Sequence, residues 1–551
     1  MKYYINSGNS TELHITGRKL GEEIGMVQLI FQGEKISEAY YKFAGFETFF
    51  LRWMPNCDYE LDVINLEISL AYRFSPDTVL DQGVEFMELK ENIHIYNRDT
   101  LSNALIQKHR NQYHFSPYKN WMNDPNGLCW FHGYYHVFYQ YNPNGQEWGN
   151  MHWGHAVSRD LLHWVHQPIV SYPQIELNGC EGYRGGAFSG SAVVDENKLK
   201  LFFTRHFGKS DRSWQRQWQV RKESCNGVDF SHEECCVWGT PEGVDWHFRD
   251  PKVIKLDGKW SMILAGSSWN RPAIFRYESE NLKEWNYKGI IYQENDPLYG
   301  IAECPDFFFL DGIYVLIVSY IYADGRKNAR DVVWYTGKWE NDIFLPEKRG
   351  LVDIGKDFYA PQSFEYEGRR LCFGWNCCRE AMHIKEPGGS NGSLRLPRIL
   401  SVKNGCLYAE VIHEIKTLFY EFTGPGPYWI KLERQEFKER NPLILVLAES
   451  NDSRLYFREN EGHVCLELEN KELKKDNQYQ EECLPFVWDY KLDEIIKTIE
   501  IYVDQALIEI YFNEGKEVCS RRFYMKNACL KPELYEKNKW KVEYRSVSSI
   551  W

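Results

Sequence analysis

The stretch "NWMNDPNGLCWFHGYYHVFYQYNP", residues 120–143, holds the two signals from which the rest of the chain can be read. Its second half, around Tyr134–Asn142, is a run of aromatic and β-branched residues, the composition of a strand. Its first half contains Asn-Asp-Pro-Asn-Gly, which is turn chemistry. Asp and Asn bond their own backbone, Pro presets φ, and Gly accepts φ > 0. The stretch predicts a turn over 123–127 running into a strand. It also sets a carboxylate, Asp124, at a bend between Trp121 and the apolar run Leu128–Phe131. A plain hairpin turn with aromatic neighbours and a deliberately displayed carboxylate both fit that local pattern.

Outward from it, the strand signal dominates. "KLKLFFTR" (198–205), "KWSMILAGS" (259–267), "GIYVLIVSYIY" (312–322), "RRLCFGWN" (369–376), "LILVLAES" (443–450) and "IEIYVDQALIEIYF" (499–512) are short and bounded by Gly, Asn or Asp. The best amphipathic helix candidate is "RDTLSNALIQKH", Arg98 to His109. Many short strands indicate an all-β protein of sandwiches, barrels or propellers. The expected divisions are a small N-terminal β-domain over 1–97, a helical linker over 98–110, a motif-dense stretch over 111–415, and a β-sandwich over 416–551. The last boundary falls near Gly424-Pro425-Gly426-Pro427, which breaks regular structure. No repeat at a fixed period stands out, so a propeller does not follow from self-similarity.

Composition narrows the function classes. The formal net charge of −13 with scattered Lys and Arg disfavours nucleic acid and anionic membrane as partners. The first residues lack the apolar core of a signal peptide, and no stretch reaches ~18 uninterrupted apolar residues. The expectation is a cytoplasmic protein. Its fifteen cysteines include the adjacent pairs Cys235-Cys236 and Cys377-Cys378, with no C-x-x-C, so reduced thiols are the simplest account. "HWGH" (152–155) and "HWVH" (163–166) are not the H-E-x-x-H zinc motif, and neither a metal nor a cofactor is called for.

Three carboxylates keep similar local company, each next to or one residue from a proline: Asp124 in "MNDPNG", Asp250 in "HFRDPKV" and Glu303 in "IAECPDFFF". Pro at a strand end bends the chain outward and leaves the nearby acid at a rim. Arg249 beside Asp250 would favour its ionised form, and the apolar run after Glu303 would favour the protonated one. Carboxylates whose surroundings push protonation apart suit acid/base work.

Taken in order, "WMNDPNG" (121–127), "YQYNP" (139–143), "WGNMHWGHAVSRDLLHW" (148–164), "FSGSAVV" (188–194), "FRDPKV" (248–253), "ECPD" (303–306) and "DFYAPQ" (357–362) resemble glycoside hydrolase family 32, the invertases and other β-fructosidases. "SLRLPR" (393–398) and "IYVDQALIEIYFNEG" (501–515) resemble that family's propeller end and C-terminal sandwich. The resemblance implies a five-bladed β-propeller followed by a β-sandwich, with the site in the axial funnel. It implies Asp124 as nucleophile, Glu303 as general acid/base and Asp250 as transition-state stabiliser. It places Asn123, Gln140, Ser189 and Arg249 on fructosyl hydroxyls, with Trp148, Phe188 and Trp375 lining the pocket. Asp306 is the nearest rival acid to Glu303 and falls outside the catalytic pattern.

The activity implied is exo-acting, retaining release of terminal fructose from sucrose or short β-fructo-oligosaccharides. A sucrose-6-phosphate hydrolase, a fructosyltransferase and a non-catalytic carbohydrate-binding propeller are the rival readings. The locally basic segment 204–224, with Arg205, Lys209, Arg212 and Arg216, reads as a solvated face ahead of a phosphate-recognising loop. Residues 1–97 have no counterpart in the ordinary two-domain pattern. An interface or packing role is expected for them, and self-association through the N-terminal or C-terminal β-domain is left open.

Overall fold

The computed structural model describes residues 1–105, 109–180, 182–324, 330–377, 389–435, 442–470, 485–525, 527–535 and 540–551. Nearly all of its regular structure is antiparallel β-sheet. Five sheets succeed one another between Asn120 and Val411. Their first strands are Asn120–Phe131, Tyr183–Asp195, Val244–Leu256, Tyr299–Leu310 and Tyr359–Tyr366. Within each sheet the chain runs outward, strand beside strand, from that first strand. Each first strand also packs against the first strand of the next sheet, and the last packs against the first, closing the cycle. The strand pair Ser390–Asn391, parallel to Asn120–Trp121, adds hydrogen bonds across the closure. Gly392 permits this approach, because a Cβ there would stand 2.1 Å from the Met122 carbonyl oxygen.

The expected turn over 123–127 is instead part of one strand, Asn120–Phe131, whose pairing with Tyr134–Asn142 slips between Met122 and Pro125 and again between Asn126 and Cys129. Pro125 and Gly127 break the ladder without reversing the chain. Gly127 has φ +55, and a Cβ there would collide with the Phe138 ring.

Two sheets precede this ring. A four-stranded and a five-stranded sheet enclose Leu13, Ile15, Val27, Leu29 and Leu61. Period-2 alternation gives the strand Leu66–Phe74 a second apolar face. Leu70, Tyr72 and Phe74, with Phe86, join a core shared with Tyr118, just before the ring, and with Tyr139 and Trp164 of its first sheet. The Tyr72 hydroxyl accepts from the Ile169 backbone N–H at 3.2 Å, and Phe86 stacks on Tyr118 with ring centroids 4.1 Å apart. The helix expected over 98–110 amounts, among the described residues, to the single turn Leu101–Ala104; positions 106–108 lie outside them, as does Cys378.

After the ring, a six-stranded and a five-stranded sheet face each other across Ile430, Leu445, Phe457, Ile501 and Ile510. A buried ionic network ties them to the ring. His114 sits between Asp504 (2.8 Å) and Glu509 (3.0 Å), and Arg398 reaches Glu509 at 2.9 Å and Asp353 at 3.2 Å, with all these side chains at most 1% exposed.

Candidate active site

The pairing of every first strand in the ring is interrupted at an equivalent place: between Met122 and Pro125, Ala187 and Gly190, Arg249 and Lys252, Glu303 and Asp306, and Tyr359 and Gln362. Inside the interruptions lies a recurring triplet: Asn123-Asp124-Pro125, Phe188-Ser189-Gly190, Arg249-Asp250-Pro251, Glu303-Cys304-Pro305 and Tyr359-Ala360-Pro361. Proline supplies no N–H to the ladder, and a bulge re-aims the side chain before it. The middle residue has positive φ at Asp250 (63°), Cys304 (47°) and Ala360 (49°). Such left-handed geometry in residues with a Cβ costs about 1–3 kcal/mol each and clusters where function demands it. Neighbouring strands hold it in place: the Asp250 N–H donates to Thr204 Oγ1 at 2.9 Å, and the Ala360 N–H to Ser319 Oγ at 3.2 Å.

The middle residues meet one another. Ser189 Oγ donates to Asp124 Oδ2 at 2.6 Å. Cys304 Sγ lies 3.6 Å from Asp124 Oδ2 and 3.5 Å from Asp250 Oδ2, and the Cys304 backbone N–H donates to the same Asp250 oxygen at 2.9 Å. The first residues of the triplets form a second tier. Arg249 Nη2 donates to Glu303 Oε1 at 2.9 Å, and the Tyr359 hydroxyl donates to Glu303 Oε2 at 2.5 Å. The three carboxylates named from sequence thus share one polar centre.

Their protonation runs opposite to the sequence expectation. Burial raises the Asp250 carboxyl, and Glu303 and Asp124 add to it against the pull of Arg249, pushing it up to about 7. Burial also raises Asp124, helped by Glu303 and opposed by the hydrogen bonds from Ser189 and Asn123. At Glu303 burial is outweighed by the guanidinium groups of Arg249 and Arg330 and by the Tyr359 hydroxyl, so its carboxyl falls below its ordinary value. Arg249 thus meets Glu303 closely, at 2.9 Å, and its chain neighbour Asp250 only at 4.0 Å from its Nε. The Asp250 carboxyl is thus held above its ordinary value and the Glu303 carboxyl below its own.

The expected binding shell divides. Asn123 is engaged at both ends of its amide, accepting from Trp121 Nε1 at 2.8 Å and donating to Asp124 Oδ1 at 3.1 Å. Gln140 is buried and donates to the Ala187 carbonyl at 2.7 Å, tying the first sheet to the second. Trp148, 39% exposed, stands edge-on to Phe188, which stacks on His206 at 4.4 Å, giving the site an aromatic wall at its mouth. Trp375 packs edge-to-face on Trp121 beneath Asn123. Ser189 and Arg249 address carboxylates directly. Asp306 is withdrawn from this centre, fully buried against Lys252 at 2.9 Å. Of the basic segment, Arg205 is bound to Glu233 and Arg216 lies over the Trp238 ring, while Arg212 at the hairpin tip acts on His206 and His247 at the mouth.

Sequence reasoning missed Arg330, Tyr359 and Cys304 as site residues. The last two were legible in the triplet, since each occupies a position that holds a candidate site residue in another strand. Arg330 had no such signal; it lies over the Tyr359 ring at 4.9 Å and acts on both Glu303 and Asp124.

Residues 114–410 match the family model described as glycosyl hydrolases family 32 N-terminal domain, and residues 421–550 match that family's C-terminal model. The chain is similar to a sucrose-6-phosphate hydrolase of Escherichia coli, 32% identical over 446 residues, covering 77% of this chain and 92% of the relative. It is also similar to a raffinose invertase of Escherichia coli, 31% identical and covering 75% and 89%. Among solved structures, a glycoside hydrolase family 32 protein from Bifidobacterium adolescentis superposes with a TM-score of 0.87 at 25% identity, covering 100% of both chains. The two N-terminal sheets therefore have a structural counterpart.

Proposed function

The chain belongs to glycosyl hydrolases family 32, and on that premise we propose that it is a retaining, exo-acting β-fructofuranosidase that releases terminal fructose from sucrose or short β-fructo-oligosaccharides. The observation that carries the reading is the single polar centre in which Asp124, Asp250 and Glu303 are linked through Cys304, Ser189 and Arg249. We read the five sheets as the blades of a five-bladed propeller with this centre on its axis, residues 111–415 as the catalytic domain and 416–551 as a sandwich. No helix among the described residues is long and apolar enough to cross a membrane, and a cytoplasmic setting agrees with the small substrates named for the relatives.

In this reading Asp124, kept available by hydrogen bonds from Ser189 and Asn123, attacks the anomeric carbon of the fructosyl unit. Glu303 protonates the departing glycosidic oxygen. A covalent fructosyl-enzyme forms; Glu303 then takes a proton from water, which releases fructose with retained configuration. Asp250 and Arg249 bind fructosyl hydroxyls. That binding draws Arg249 away from Glu303 and lets its carboxyl rise toward the protonated state the first step needs. A second reading, hydrolysis of sucrose 6-phosphate, is favoured by the name of the Escherichia coli relative. Fructose release from sucrose, sucrose 6-phosphate, inulobiose and levanbiose, with Asp124→Asn as control, tests the proposal. Release from none of the four overturns it, and a clear preference for the phosphorylated sugar selects the second reading.

A further inference from the structure

Away from the acids, the linker, the last sheet of the ring and the C-terminal sheets meet around a polar recess. It opens to solvent and is lined by His109, Arg110, Ser116, Asn376, Ser393 and Arg522, among others. Arg110 is 3% exposed and has no carboxylate partner among the described residues. Its terminal nitrogens make only long contacts to neutral oxygens, with Tyr118 O at 3.2 Å, Ser390 Oγ at 3.3 Å and Ser116 O at 3.4 Å. Its Nε has no hydrogen-bond partner, and neither does the buried Asn376 Oδ1 in the same recess. The Trp551 ring covers one face of the guanidinium at 4.5 Å.

A guanidinium out of water without a counter-charge is costly. Burial pushes Arg110 down to about 9, with only Tyr118 and Tyr139 acting against it. Among the described residues Arg398 has Asp353 and Glu509 and Arg249 has Glu303, whereas Arg395, like Arg110, bonds only carbonyl oxygens, though Glu509, Asp353 and Asp357 act on it from nearby. Arg110 has only tyrosines acting on it and faces a cavity also lined by Ser393, Arg522 and His109. Guanidinium forks and hydroxyls are the partners of tetrahedral oxyanions.

We propose that this junction is an anion site that holds a small tetrahedral oxyanion against Arg110, fastening the linker to the last sheet of the ring and to the C-terminal sheets. The site is separate from the proposed fructose site, and an occupant acts on stability through preferential binding to the folded chain.

The probe is inorganic phosphate. Thermal unfolding of the intact protein is followed in phosphate and in chloride at matched ionic strength, with saturating fructose present to occupy the candidate active site. The expected result is a midpoint about 2 °C or more higher in phosphate, reproduced by sulfate. Asn376→Asp places a carboxylate in the recess and should abolish the phosphate response while the protein stays folded; Arg110→Met should abolish it as well. If Arg110→Met does not fold, Asn376→Asp decides alone. An equal rise in chloride, or a phosphate response undiminished in Asn376→Asp, overturns the proposal. So does the absence of phosphate bound by the wild type in equilibrium dialysis with fructose present.

Discussion

Arg249 Nη2 donates to Glu303 Oε1 at 2.9 Å across two sheets of the ring, so the acid/base candidate is held ionised until something competes for that guanidinium. The opposing carboxylate oxygen is held by Tyr359. Tyr359→Phe removes a hydrogen bond to the charged form and should raise the Glu303 carboxyl. The alkaline limb of kcat/KM, which follows loss of the general acid's proton, should then move to higher pH while its plateau falls by about 10-fold. A plateau that falls with an unmoved limb would show that Tyr359 acts on substrate and not on Glu303.

Asp124→Asn and Glu303→Gln should separate by substrate. Both should lose roughly three to four orders of magnitude on sucrose. A fructoside with a good leaving group should restore much of the first step in Glu303→Gln and nothing in Asp124→Asn. Equal loss on both substrates in both variants would count against the division of roles.

Asp250 binds a proton in the folded state that the unfolded chain releases at much lower pH. Between the ordinary carboxylate value and about 7 the native state binds more protons, so this group's contribution to stability falls as pH rises through that window. Asp250→Asn should therefore be about 1–3 kcal/mol more stable than wild type above neutral pH, with no such gain in acid, and should be inactive. Denaturant melts at both pH values check it.

His114, held between Asp504 and Glu509, has its imidazole raised: burial opposes the charge, but the two carboxylates outweigh it. Its contribution is complete below ~6.5 and lost as pH climbs through the raised folded value. Glu509 is held far below the ordinary carboxylate range, so its contribution exists above that range and disappears as pH falls through the depressed value. His114→Leu leaves two buried carboxylates short of a counter-charge and should cost about 3 kcal/mol near neutral pH. Urea melts should show it, and the variant should lack the alkaline decline.

The all-β character and the three acids could be read from strand runs and proline-flanked carboxylates. The protonation pattern could not. Adjacency in the chain made Arg249 look like the partner of Asp250, but successive residues of a strand point to different sides, and the left-handed backbone at Asp250 turns its carboxylate toward Cys304. Arg249 instead meets Glu303, which holds the same place in the next sheet. That equivalence was present as the triplets Asn-Asp-Pro, Phe-Ser-Gly, Arg-Asp-Pro, Glu-Cys-Pro and Tyr-Ala-Pro, of which four end in Pro but whose first two positions vary. A search for repeated residue types misses a repeat whose constant feature is a backbone irregularity. Arg330 reaches the site only through tertiary placement.

The pairing of Ser390–Asn391 with Asn120–Trp121 has a consequence for biosynthesis. The edge that Asn120–Phe131 offers to that seam is made early, and its partner leaves the ribosome only after three further sheets and two strands of the last, on the order of tens of seconds later at ordinary translation rates. Throughout that interval the nascent chain carries an unsealed strand edge close to Asn123 and Asp124. Synonymous codon changes that slow elongation between the second and fifth sheets should therefore lower the soluble yield without altering a single contact of the finished molecule.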